Sequence, residues 1–129
     1  MSNVPADLQY TKDHEYVGKT ADASIVKIGI TDYAQGELGD VVFINLPKPG
    51  QSFPAHAAFG TIEAVKAVSE LFTPMAGEVV SVNTGLDADP ALVNREPYGG
   101  GWMITLKVKD PNELKGLLSP ADYVKHVGG

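Results

Sequence analysis

The chain has 129 residues, 43% of them hydrophobic and 20% charged, enough for roughly one domain with a buried core. Ten Lys and Arg stand against 16 Asp and Glu, a formal net charge of −6, which argues against a general nucleic-acid or anionic-membrane surface. Cysteine is absent, which rules out disulfides, cysteine-ligated zinc, iron–sulfur clusters and thiol nucleophiles, and any thiol chemistry must come from an attached group.

Met1 to Tyr16 shows neither an apolar signal core nor Arg-rich transit character, and no run reaches the roughly 18 apolar residues of a membrane span. A cytoplasmic protein is expected, or one of the mitochondrial matrix after processing. Short β-branched runs then predict strands over Ser24 to Ile30, Val41 to Leu46, Glu78 to Val82 and Met103 to Val108. Between the first two, Thr31 to Gly39 predicts one short helix, with Thr31 as N-cap, Asp32 at the positive end and Gly39 taking a left-handed conformation after the last turn. Asp89 to Val93 offers one further helical turn. Asp110-Pro111-Asn112-Glu113 and Ser119-Pro120-Ala121-Asp122 share the grammar of a capped helix start, which predicts short helices over Pro111 to Leu117 and Pro120 to His126.

One weak repeat bears on architecture. Gly39-Asp40-Val41-Val42-Phe43-Ile44-Asn45 and Gly77-Glu78-Val79-Val80-Ser81-Val82-Asn83 match at a constant offset of 38 residues, which suggests a small β fold of two related halves.

The common catalytic signatures fail. His14-Glu15 opens like a zinc-protease helix, but the residue four beyond His14 is Gly18. His14, His56 and His126 have no ligand spacing to one another, so no metal site is expected. Gly99-Gly100-Gly101 leads to Trp102 and makes no phosphate loop, and no Gly-x-Ser-x-Gly elbow occurs. The chain reads as a non-catalytic protein.

Lys66 stands out: between positions 49 and 106 the basic residues are Lys66 and Arg95, and Lys66 sits within Ala64-Val65-Lys66-Ala67-Val68. Periodicity favours an amphipathic helix here, since Ile62, Val65, Val68 and Phe72 recur at helical intervals while Glu63, Lys66 and Glu70 form an opposite stripe of ion pairs. The functional alternative is a hairpin tip, where a lysine between small apolar neighbours is presented for acylation by an enzyme.

The chain resembles the glycine cleavage system H proteins, a family of lipoyl carriers. The resemblance runs through Tyr10 to Tyr16, Ile28 to Gln35, Leu38 to Phe43, Glu63 to Ala67, Pro74 to Asn83, Leu92 to Asn94 and Pro97 to Trp102. It implies a mainly β, lipoyl/biotinyl-like hybrid barrel-sandwich with a short internal helix and short C-terminal helices. It further implies one lipoyl-carrier domain over residues 1–129, with a β core at about 24–108 and C-terminal helices at about 111–126. The lipoyl group would be attached covalently at Lys66, on a hairpin turn and not a helix, with Glu63 and Gly77 serving recognition and placement during lipoylation. Glu15 and Glu70 occupy the places of acids that hold the amine of the loaded arm. The implied partners are a pyridoxal-phosphate glycine decarboxylase, a tetrahydrofolate-dependent aminomethyltransferase, a dihydrolipoyl dehydrogenase using FAD and NAD, and the lipoate ligase or octanoyl transferase that modifies the lysine. A monomer is expected, with no nucleic-acid or membrane partner. Departures from the family pattern are Tyr16 for a usual tryptophan, Ala64 for a commoner serine and Glu70 for a usual aspartate. The alternative is a related carrier serving another pathway, lipoyl relay or sulfur metabolism.

Overall fold

The computed structural model describes residues 3–128. In chain order the elements are β1 (Gln9–Tyr10), β2 (Glu15–Lys19), β3 (Ile25–Ile30), α1 (Asp32–Leu38), β4 (Val41–Asn45), β5 (Ser52–Phe53), β6 (Ala58–Ala64) and β7 (Val68–Phe72). They continue as β8 (Gly77–Val82), α2 (Gly85–Ala88), α3 (Leu92–Arg95), β9 (Ile104–Val108), a 3-10 helix (Pro111–Gly116) and α4 (Pro120–Val127).

The strands form two antiparallel sheets, one of six in the order β1-β2-β3-β9-β8-β5 and one of three in the order β4-β6-β7. Alternation puts Val26, Ile28, Val79, Ile104 and Leu106 of the larger sheet into the same core as Ile44, Phe59, Ile62 and Leu71 of the smaller one. This is the mainly β barrel-sandwich expected from the resemblance. Strands β3, β4, β8 and β9 each fall within one residue of the bounds that β-branched composition predicts.

The 38-residue repeat is visible in the backbone. Strand β4 shifts register between Val41 and Phe43 against β6, and β8 shifts between Val79 and Ser81 against β9, so Val42 and Val80 occupy equivalent bulges. A bulge sets two residues against one and sharpens the local twist, which lets each strand bend over the core.

The helical periodicity of Ile62 to Phe72 is overturned. Residues 58–72 form the β6–β7 hairpin, in which Ile62 is buried but Val65 and Val68 are 75% and 69% exposed. The three- and four-residue spacing arises because the chain reverses at residues 65–66, and pairing of β6 with both β4 and β7 outweighs the local pattern. Among the described residues Lys66 forms no ion pair with Glu63 or Glu70.

Capping behaves as the sequence predicts. The Thr31 side chain accepts the Ala34 N–H at 3.2 Å, and the Ser119 side chain accepts that of Asp122 at 3.2 Å. The Asp110 carboxylate accepts the Asn112 N–H at 3.0 Å, but the expected helix over Pro111 to Leu117 is a 3-10 turn, ended by extended backbone at Leu117. A segment this short gains few α-type bonds, and the tighter turn satisfies it. The helical turn expected at Asp89 to Val93 lies slightly later, as α3, and α2 has no counterpart in the sequence expectations. Helix α4 closes the fold by stacking Tyr123 on Tyr10, with ring centroids 4.7 Å apart, in a second buried cluster with Tyr16. Among the described residues no helix is long and apolar enough to cross a membrane, and no three His, Asp or Glu side chains are grouped to hold a metal.

Candidate functional site

The hairpin tip is built by register. Glu63 pairs with Val68, and the Ala64 N–H donates to the Ala67 carbonyl at 2.8 Å, which leaves Val65 and Lys66 to turn the chain. Lys66 is exposed. The tip is tied to the segment between α1 and β4, because the Val65 N–H donates to the Asp40 carbonyl at 2.9 Å and Ala64 pairs with Val41.

Gly39 provides the floor beneath the lysine. Its φ is positive but ψ is −160°, so it does not take the left-handed conformation expected of a helix stop; this combination is almost reserved to glycine. A β-carbon at position 39 would stand 3.4 Å from Cε of Lys66 and 3.8 Å from Cδ and Cγ, so the aliphatic stem of the lysine runs along bare backbone.

Around the tip lies an apolar collar that no sequence pattern pointed out. Val42 and Phe43 are 54% and 50% exposed beside the still more open Val65 and Val68. The bulge at Val42 is the cause, since strict alternation would turn one of two successive residues inward. Phe43 and Val68 are the partners on either side of Glu63, so the acid stands in an apolar row.

The remaining expected site residues fall in three places. Glu63 and Glu70 share the outer face of the hairpin, because Glu70 pairs with Thr61, two residues before Glu63. Gly77 begins β8 in the six-stranded sheet, where a β-carbon would meet the Lys107 carbonyl oxygen, so close packing of β8 on β9 itself demands glycine. Glu15 belongs to β2 of that same sheet and is 4% exposed. The Thr11 hydroxyl donates to its Oε1 at 2.7 Å, and burial pushes its carboxyl up to about 7, with Asp13 adding to the rise and Thr11 opposing it. No hydrogen bond or ion pair joins Glu15 to Glu70 among the described residues.

Next to Glu15 the backbone is unusual. His14 has a φ of 69°, and its carbonyl accepts the Thr31 N–H at 3.0 Å. Its Nδ1 lies 2.9 Å from the Tyr123 hydroxyl, which is 2.7 Å from Thr31 Oγ1, so α4, the start of α1 and the turn before β2 meet at one polar junction. Burial and the neighbouring His126 lower the His14 pKa.

A two-sheet scaffold that projects an exposed lysine from a tied hairpin suits a carrier, a class of protein that presents a covalently attached group to separate enzymes. The residues fit such a group: the amine is open, the floor is glycine and the surrounding collar is apolar.

Comparison with known proteins names the family. The sequence profile of the Glycine cleavage H-protein family matches residues 8–128. A glycine cleavage system H protein of Chlorobaculum tepidum is 50% identical over 126 residues, 98% of each chain. One of Opitutus terrae is 51% identical over 128 residues, covering 99% of this chain and all of that one. The crystal structure of a glycine cleavage system H protein from Mycobacterium marinum superposes with a TM-score of 0.85 at 35% identity, over 98% of this chain and 100% of that one. The chain belongs to the glycine cleavage H-protein family.

Proposed function

We propose that Lys66 is the residue through which this chain works, as the attachment point of its lipoyl group. The chain is a non-catalytic lipoyl carrier of the glycine cleavage system, a partner to the other components of that system. The observation that supports Lys66 is the tied hairpin tip, where Val65 is fixed to Asp40 and the adjacent amine is exposed. When bound, the lipoyl group supplies the disulfide that accepts an aminomethyl group, chemistry this cysteine-free chain cannot supply itself.

The chain's own residues then position and shelter. Lys66 tethers the arm and raises its local concentration at each partner. Glu63 marks the hairpin for the lipoate ligase or octanoyl transferase, helped by the apolar collar, and Gly77 serves placement of the hairpin through the β8–β9 packing that supports the scaffold. Glu15 and Glu70 receive the ammonium of the arm's cargo. Glu15 suits this because a buried carboxyl with Thr11 as its side-chain partner regains its charge most readily beside a cation. The working partners we assign are the pyridoxal-phosphate glycine decarboxylase, the folate-dependent aminomethyltransferase and dihydrolipoyl dehydrogenase, served by a monomeric, one-domain carrier in the cytoplasm.

Intact mass and peptide mapping after incubation with lipoate ligase and lipoic acid test the reading. One lipoyl increment on Lys66 that disappears in Lys66→Arg supports it. No increment, while a control lipoyl domain is modified, overturns it.

A further inference from the structure

The Leu92-Val93-Asn94 motif forms most of α3, and from it Asn94 bonds to the Gly39–Val41 segment that anchors the hairpin tip. We propose that Asn94 is a positioning residue for the lysine arm, acting through the two peptide units that flank Asp40. The inference rests on Lys66 being the attachment point.

The hydrogen bonds leave little freedom in how the Asn94 amide is oriented. Its Oδ1 accepts the Val41 N–H at 2.9 Å, and its Nδ2 donates to the Gly39 carbonyl at 2.9 Å and to Gln35 Oε1 at 2.9 Å. The Val41 amide can only donate, so Oδ1 must face it. Gln35 agrees from the other side, because its Nε2 donates to the Asp32 carboxylate at 2.7 Å and thereby turns Oε1 toward Asn94. Both amide hydrogens and the amide oxygen of Asn94 are in use, and each neighbour confirms the assignment.

The consequence follows from peptide geometry. In a trans peptide unit the N–H and C=O point in opposite directions. The N–H of Val41 and the C=O of Asp40 belong to one such unit. With the N–H fixed on Asn94, the carbonyl is aimed the opposite way, at the Val65 N–H 2.9 Å from it. The bond from Asn94 to the Gly39 carbonyl fixes the preceding unit, and so the backbone on which the Lys66 stem lies. Asn94, on α3, thus holds both the anchor of the tip and the floor of the arm, with no hydrogen bond to Lys66 among the described residues.

The measurement is amide hydrogen exchange by NMR together with lipoylation kinetics, on the wild-type chain and Asn94→Ala. The Val65 amide should exchange about tenfold faster in the variant, as expected when the group holding its acceptor is removed, while the Met103 amide, bonded to the Ile28 carbonyl at 3.0 Å across the larger sheet, keeps its rate. Lipoylation by ligase and lipoyl-adenylate should show a KM for the carrier raised about fivefold with kcat retained, because the competent hairpin is less populated and the chemistry unchanged. Should Asn94→Ala fold poorly, Gln35→Ala removes one of the partners that orient the Asn94 amide and keeps the bonds from Asn94 to Val41 and Gly39, and it should show a smaller change in the same directions. Unchanged Val65 exchange overturns the proposal, as does faster exchange with unaltered KM. Retention of the lipoyl increment in Lys66→Arg would defeat the assignment of Lys66 itself, an outcome read in a chain with Asn94 intact.

Discussion

The two copies of the 38-residue repeat fold alike and serve differently. Gly39 to Asn45 and Gly77 to Asn83 each contain a strand with a bulge at the second valine. Strand β8 lies inside the six-stranded sheet, between β9 and β5, whereas β4 borders the three-stranded sheet. The opening glycines record the difference. Gly77 is required because a β-carbon would collide with the Lys107 carbonyl, and Gly39 because its backbone takes a conformation closed to other residues while its bare surface carries Lys66. Tertiary position, not local sequence, assigns one copy to holding the fold and the other to presenting the lysine.

That division makes measurable claims, the largest at the tip itself. Lys66→Arg should abolish lipoylation completely by intact mass and leave the melting temperature unchanged, since the side chain is exposed and forms no ion pair among the described residues. Gly77→Ala attacks the structural copy. It should cost about 3 kcal/mol in urea unfolding, because the β-carbon meets rigid backbone, and lipoylation should fall only with the folded fraction.

Glu15, in the same sheet as β8, adds a pH dependence. Its folded pKa is raised to about 7 from an ordinary 4.5, so the folded state binds this proton more tightly than the unfolded state. The stability it contributes is complete below about pH 4.5 and is lost as pH rises through about 7. Glu15→Gln should flatten that decline and exceed the unmodified wild type by about 2 kcal/mol at pH 8, read from urea melts across the range.

Gly39→Ala attacks the presenting copy. The strain of a positive φ should cost about 1 to 2 kcal/mol, and the lipoylation rate should fall at temperatures where the chain remains fully folded, unlike Gly77→Ala. The smallest effect belongs to the collar. Phe43→Ser should lower kcat/KM for lipoylation about fivefold with little change in stability, whereas serine at its neighbour's counterpart, Val80→Ser, should leave it unchanged. Equal effects of Phe43→Ser and Val80→Ser would erase the distinction between the copies.

How much of this was legible depended on how local each signal was. Thr31, Ser119 and the β-branched runs of β3, β4, β8 and β9 act through neighbours in sequence, and the structure follows them closely. The two-residue strands β1 and β5 are too short to leave a pattern, and their existence depends on β2, Leu118 and β8. Residues 62–72 read as a helix because two strands folded about Lys66 mimic its spacing, and resemblance to a family corrected what periodicity could not. Lys66 was legible as an isolated cation. Gly39 was legible as a helix stop but not as the floor of the arm, and Asn94 was legible only as part of a motif, since its partners lie 53 to 59 positions away.

The glycine floor also shapes a diffusive search. An arm attached at Lys66 would start along the bare backbone of Gly39, with the Gly39–Asp40 segment beneath it and the exposed collar around it. Shrinking the volume a tether can sweep raises its concentration in the volume that remains, so a partner docked on the open side would gain. The scaffold would act on that arm as a reflecting wall, returning it toward the open side of the hairpin.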